Sequence, residues 1–246
     1  MQDRVPIVLV HGAWAGAWIW RRVLQPLRAA GHEVHAVTLT GDGERAHLRR
    51  ADIDLATHAA DVLGLVQAEE LAGFVLVGHS YGGMVVTAAA DAIVARLGAH
   101  ALRGLAYVDA VVPLPGRSWS SGHSAETVAE RLALAAANDN ALPPADPAAF
   151  GLQGAERDWL LRRQVPHPFG MYLEPVRFDP VRLAPIPRLF VDCTRPALPT
   201  IDASRRLVRA QPGWRVVEIA TGHCPMVSAP QALAQHLLDF ARAAAA

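Results

Sequence analysis

The sequence contains no lysine; all 23 of its basic side chains other than histidine are arginine. That excludes a Schiff-base lysine and a lysine general base. Cysteine is nearly as scarce: Cys193 and Cys224 are the only two in 246 residues, which leaves no disulfide framework. Net charge is missing as well. The 23 acidic residues balance the arginines to a formal +0, so nothing favours nucleic acid or an anionic membrane as a partner. No stretch approaches 18 uninterrupted apolar residues, so no membrane span is expected. The opening MQDRVPIVLVHG has no basic segment leading into a long apolar one. It reads as a first strand rather than a secretory signal, which makes the cytoplasm the expected location.

What is present is apolar material arranged in short runs. The hydrophobic fraction is 52%, enough for a sizeable core. VPIVLVHG (5–12), HEVHAVTLT (32–40), FVLVGHS (74–80), RGLAYVDA (103–110), PRLFVDCT (187–194) and WRVVEIAT (214–221) are strand patterns. Helical patterns at 17–30, 54–71, 81–97, 202–210 and 229–244 separate or follow them, with Asp54 placed as an N-cap. The alternation predicts an α/β fold: a mostly parallel six-stranded sheet with helices on both faces. The continuously apolar runs suit strands covered on both sides.

Residues 111–186 break the rhythm. They are proline-rich, with helical patches near 124–137 and 155–163 and no clear strand. Because they fall between two sheet strands, they are expected to form an inserted helical cap on a core made of 1–110 and 187–246. GDGERAHLRR (41–50) reads as a polar loop.

The stretch Gly78-His79-Ser80-Tyr81-Gly82 fits G-x-S-x-G between a strand and a helix. That is the context of a nucleophile elbow, where a sharp turn exposes the serine and demands small neighbours. Serine needs a base to take its proton. His223, in ATGHCPM just past the strand at 214–221, is the candidate. His11 and His79 are expected to shape turns, and His123 and His167 could line a pocket. His32, His35, His47, His58, His100 and His236 sit on elements expected to be remote from the serine. Two backbone donors are needed for an oxyanion. The N–H groups of Tyr81 and of Ala13, in the loop after the first strand, are the candidates. Gly12, Trp14, His79, Trp119 and Cys224 are expected at the substrate pocket. No metal site is indicated.

VLVHGAWAGAWIW, LTGDGERAHL, LVGHSYGGMV, LAYVDAVVP and TGHCPMVSAPQAL, in that order, resemble the α/β-hydrolase superfamily. The nearest likeness is to bacterial esterases similar to plant methyl esterases and hydroxynitrile lyases. The resemblance implies an α/β-hydrolase fold with a helical cap and no cofactor. The chain departs from it twice. Where the methyl esterases carry their acid, in a C-T-x-D stretch, this sequence has Cys193-Thr194-Arg195-Pro196. Asp109, at the end of LAYVDA, is the first alternative, at a position that certain haloalkane dehalogenases use. Asp192 and Asp202 are the fallbacks. The lyases also use a lysine shortly after the catalytic histidine; here Cys224 follows His223.

The expected activity is therefore a serine esterase acting on a small, largely apolar ester, or a related carbamate, thioester or lactone. The partners are that small molecule and, at most, a second copy of the chain. Two other readings stay open: a ligand-binding protein on a hydrolase scaffold, and cofactor-free lyase or oxygenase chemistry.

Overall fold

The structure, a computed structural model, describes residues 4–245. In chain order its elements are β1 (Ile7–Val10), α1 (Arg21–Ala29), β2 (Val34–Val37), α2 (Leu55–Ala68), β3 (Phe74–His79), α3 (Gly82–Leu97) and β4 (Leu102–Val108). There follow α4 (Ala125–Ala136), β5 (Ala141–Leu142), α5 (Gly154–Leu161), β6 (His167–Pro168) and α6 (Pro180–Leu183). The chain closes with β7 (Arg188–Cys193), α7 (Asp202–Ala210), β8 (Trp214–Ile219), α8 (Pro225–Ser228) and α9 (Pro230–Ala245).

The six expected strands form one sheet in the order β2-β1-β3-β4-β7-β8. Every neighbouring pair is parallel. Side chains of a strand alternate between faces, and here the two faces carry separate cores. Val8, Leu76, Tyr107 and Phe190 pack with Val62 of α2 and Val85 of α3 on one side. Ile7, Val75, Ala106 and Leu189 pack with Leu27 of α1 and Leu237 of α9 on the other. Burial on both faces explains why the central strands β1, β3, β4 and β7 read as nearly unbroken apolar runs. Asp54 caps α2 as expected, its carboxylate accepting from the Thr57 N–H at 2.7 Å.

Two expectations are corrected. The stretch between β4 and β7 does contain strands: β5 and β6 form a small antiparallel pair. Residues Gly43–Leu48, read as loop, wind into a short 3₁₀ segment. No helix among the described residues is long and apolar enough to cross a membrane.

In a parallel sheet all strands end on the same edge, so their following loops converge there. Register aligns His79 with Val108 across β3 and β4, and Val108 with Val191 across β4 and β7. Ser80 and Asp109, the residues after β3 and β4, therefore emerge side by side.

Candidate active site

Ser80 turns the chain with φ 54°, a left-handed conformation that costs a non-glycine residue energy and recurs at functional turns. The sheet holds it there. Its N–H donates to the Val108 carbonyl at 3.3 Å, and its own carbonyl accepts from Val111 N–H at 3.0 Å. Small neighbours are required: a Cβ on Gly78 would meet the Gly82 carbonyl at 2.5 Å, and one on Gly82 the His11 carbonyl at 2.7 Å. Asp109 is also left-handed, at φ 39°, with its N–H held by the Val191 carbonyl at 2.8 Å.

His223 reaches back from the loop after β8 and joins the two. Its Nε2 lies 2.9 Å from Ser80 Oγ, and its Nδ1 lies 2.7 Å from Asp109 Oδ2. A carboxylate has no proton to give, so Nδ1–H donates to Asp109 and bare Nε2 accepts from the serine hydroxyl. His223 and Asp109 are both buried. His223 is fixed from two further sides. Its N–H donates to the Phe150 carbonyl at 3.1 Å, and its carbonyl accepts from His79 Nε2 at 2.8 Å.

The other oxygen of Asp109 is occupied too. Arg205 Nη2 donates to Oδ1 at 2.7 Å, and the Cys193 N–H does so at 3.4 Å. The fallback acids do not reach His223 in this arrangement. Asp192 and Asp202 both bind Arg205, at 2.6 and 2.7 Å.

A narrow cavity at Ser80 is lined by Ala13, Trp14, Ile19, His79, Phe150, Leu160, Gln164, His223 and Cys224, among others. Its walls are mostly apolar, as those of small-ligand sites are. Among the described residues, neither the Ala13 nor the Tyr81 N–H has a protein acceptor. Gly12 backs the serine: a Cβ there would lie 2.7 Å from Ser80 Cβ. Trp14 is pinned by its Nε1–H to the Leu142 carbonyl at 2.9 Å, and its ring faces Phe150 at 6.1 Å. The Cys224 thiol is pushed up to about 12 by burial and then by Asp109. It is an uncharged pocket wall, not a second nucleophile. His79 is pushed well below the usual imidazole range, by burial first and then by His223, so it stays neutral.

Trp119 is placed elsewhere. It packs 4.9 Å from the Tyr81 ring and walls a neighbouring cleft with Val111, Val112 and Ser204, a space that neither Ser80 nor His223 lines. His58, expected to be remote, in fact lies against the elbow. Its Nδ1 accepts from the Tyr81 hydroxyl at 2.9 Å, while its Nε2–H donates to the Thr40 carbonyl at 2.9 Å. His167 meets Asp42 rather than the cavity, with Nδ1 2.8 Å from Asp42 Oδ2. Phe150, Leu160, Gln164 and Ile19 were not singled out from sequence, since nothing in their local pattern marks three apolar residues and one amide as pocket wall. Arg205 carried one local hint, its three-residue spacing from Asp202. Among the described residues, no group of His, Cys, Asp and Glu is disposed to hold a metal ion.

The model of the alpha/beta hydrolase family matches residues 7–236. A carbendazim hydrolyzing esterase from Nocardioides sp. is 38% identical over 239 residues, spanning 94% of this chain and 97% of the relative. Methylesterase 3 of Arabidopsis thaliana is 27% identical over 257 residues, spanning 96% and 95%. A solved extracellular alpha/beta-hydrolase from a Paenibacillus species superposes with TM-score 0.82 at 21% identity, covering 96% of this chain and 98% of its own; that likeness concerns the fold.

Proposed function

Since the chain belongs to the alpha/beta hydrolase family and its curated relatives are esterases, we propose that it is a serine esterase for small, largely apolar carboxylic esters. Ser80 attacks the acyl carbon as His223 takes its proton. His223 returns that proton to the leaving alcohol, and water then releases the acyl group by the reverse use of the same base. Asp109 holds His223 in the tautomer that leaves Nε2 bare and stabilises the imidazolium. The Ala13 and Tyr81 N–H groups bind the tetrahedral oxyanion.

One observation carries the reading: the unbroken line from Ser80 Oγ through His223 to Asp109 Oδ2, at 2.9 and 2.7 Å, opening on an apolar cavity. The ligand-binding alternative drew on Pro196 standing where an acid was expected. It loses that support once Asp109 supplies a carboxylate from the neighbouring strand.

The test compares p-nitrophenyl acetate and butyrate hydrolysis by the wild type, Ser80→Ala and Asp109→Asn. Both variants are expected to lose about 10³-fold or more in kcat, because triad members act as a unit. Near-normal hydrolysis by Ser80→Ala would overturn the reading. Normal hydrolysis by Asp109→Asn alone would remove Asp109 from it. The 38% identical relative makes carbendazim the next compound to offer.

A further inference from the structure

We propose that Arg205 is a positioning residue for catalysis: it holds Asp109 from the side opposite His223 and sets how much of the carboxylate's charge His223 feels. This rests on the reading of Ser80, His223 and Asp109 as the triad.

The geometry is that of a fixed fork. A guanidinium has five N–H donors in one plane, and all five of Arg205 are used. Nε donates to Asp192 at 2.6 Å. Nη1 donates to Asp202 at 2.7 Å and to the Leu198 carbonyl at 2.8 Å. Nη2 donates to Asp109 at 2.7 Å and to the Cys193 carbonyl at 3.3 Å. With every donor engaged, the plane has no freedom to rotate away from Asp109. Asp192 is braced in turn, its second oxygen accepting from Arg209 at 2.6 Å, and Arg209 also binds Glu218 at 2.7 Å. The two acids weighed from sequence as alternatives to Asp109 thus hold the arginine that holds it.

Arg205 also answers a problem that the position of Asp109 creates. The acid leaves β4, directly beside the serine strand, with a left-handed backbone. Its carboxylate must turn along the sheet edge to face a histidine arriving from β8. One oxygen reaches His223, and the other needs a partner in a buried setting where an unpaired anion is costly. Arg205 is itself 8% exposed. Burial pulls its guanidinium down, but Asp109, Asp192 and Asp202 together outweigh that and leave it raised, so the cation is permanent. Its charge competes with His223 for the same carboxylate.

The other titratable groups around the pair are few. His79 of β3 lies 4.7 Å from the His223 ring and is held neutral. Cys193 of β7 and Cys224 beside His223 are both pushed upward by burial and Asp109, so both remain thiols. Asp192 and Asp202 face Arg205. Among these, Arg205 is the group whose charge bears directly on Asp109.

The experiment measures kcat, KM and the pH profile of kcat/KM with p-nitrophenyl acetate for the full-length wild type, Arg205→Lys, Arg205→Gln and Asp109→Asn. Circular dichroism and active-site titration fix the folded, acylatable fraction. Arg205→Lys keeps the charge and loses the fork. Its kcat is expected to fall about tenfold with KM unchanged, since small misplacements of a catalytic group cost one to two decades; its acidic limb stays where it was. Arg205→Gln loses the charge as well. Its kcat is expected to fall about 10- to 100-fold. Its acidic limb is expected to move to higher pH, because Asp109 then turns its whole charge on the protonated imidazole. A folded Arg205→Gln with wild-type kcat per titrated site and an unmoved limb would overturn the inference. If Arg205→Gln does not fold, Arg205→Lys decides: tenfold loss at constant KM supports it, and wild-type kcat overturns it. Asp109→Asn separates the two levels. Wild-type activity there sinks the triad reading and this inference with it. An inactive Asp109→Asn beside a normal Arg205→Gln sinks the inference alone.

Discussion

Tyr81 serves two purposes with two different atoms. Its backbone N–H, which has no protein acceptor among the described residues, is proposed for the oxyanion, and its ring is fully buried with the hydroxyl on His58. Burial first, then Asp42, pushes the phenol well above its usual range, so it is a permanent hydrogen-bond donor. Tyr81→Phe leaves His58 Nδ1 without its donor, and an unsatisfied buried acceptor costs about 1–3 kcal/mol. Urea unfolding should show that loss, while kcat for p-nitrophenyl acetate stays near wild type because the backbone donor is untouched; a collapse in kcat would contradict this division. At this scale the sequence was informative where chemistry is local. Ser80 stood out because an elbow needs small residues at fixed short spacing. His223 stood out because it follows a strand and precedes a helix. Asp109 needed the topology to bring β4 beside β3. His58 was misjudged because only the packing of α2 beneath the elbow, invisible in spacing, carries it to Tyr81.

At the scale of elements, the four central strands β1, β3, β4 and β7 were legible because burial on both faces leaves an apolar run with little else in it, and the edge strands β2 and β8 because their runs are short and rich in β-branched residues. β5 and β6 were not: two residues each, one of them a proline, is too short for any alternation to register. β3 bears the site and has all six of its residues buried. Leu76→Ala in its centre should cost about 2–5 kcal/mol by lost transfer energy and a residual cavity, read as a lower urea midpoint at unchanged slope. The same measurement on Asp54→Ala should show about 1 kcal/mol, the worth of one N-cap. Equal losses in the two variants would mean that α2 contributes more through its cap than the packing of Val62 and Val66 suggests.

For the whole molecule, acid is the vulnerable side. Burial, followed by Arg131, pushes His123 down to about 4 and His167 down to about 3. His11, His58 and His79 are lowered too, each by burial first. Between such a folded value and the unfolded value near 6.5, the unfolded chain binds more protons. Stability therefore falls as pH drops below about 6.5. Asp42 acts in the opposite sense. Burial raises it to about 7, so between about 4 and 7 it holds a proton that the unfolded chain has released, and acid favours the folded form there. Five histidines against one aspartate predict a Tm lower at pH 5 than at pH 7. Asp42→Asn removes the opposing contribution and should steepen that fall. A Tm that is flat over this range in the wild type would contradict the burial of these imidazoles.

The hydrogen bond from the His223 N–H to the Phe150 carbonyl ties the loop after β8 to a turn that lines the same cavity. The Phe150 ring stands 5.4 Å from the imidazole, and Gly222 packs so closely on the Phe150 carbonyl that a side chain there would collide with it. A displacement of the turn at Phe150 therefore also loosens the loop that carries His223.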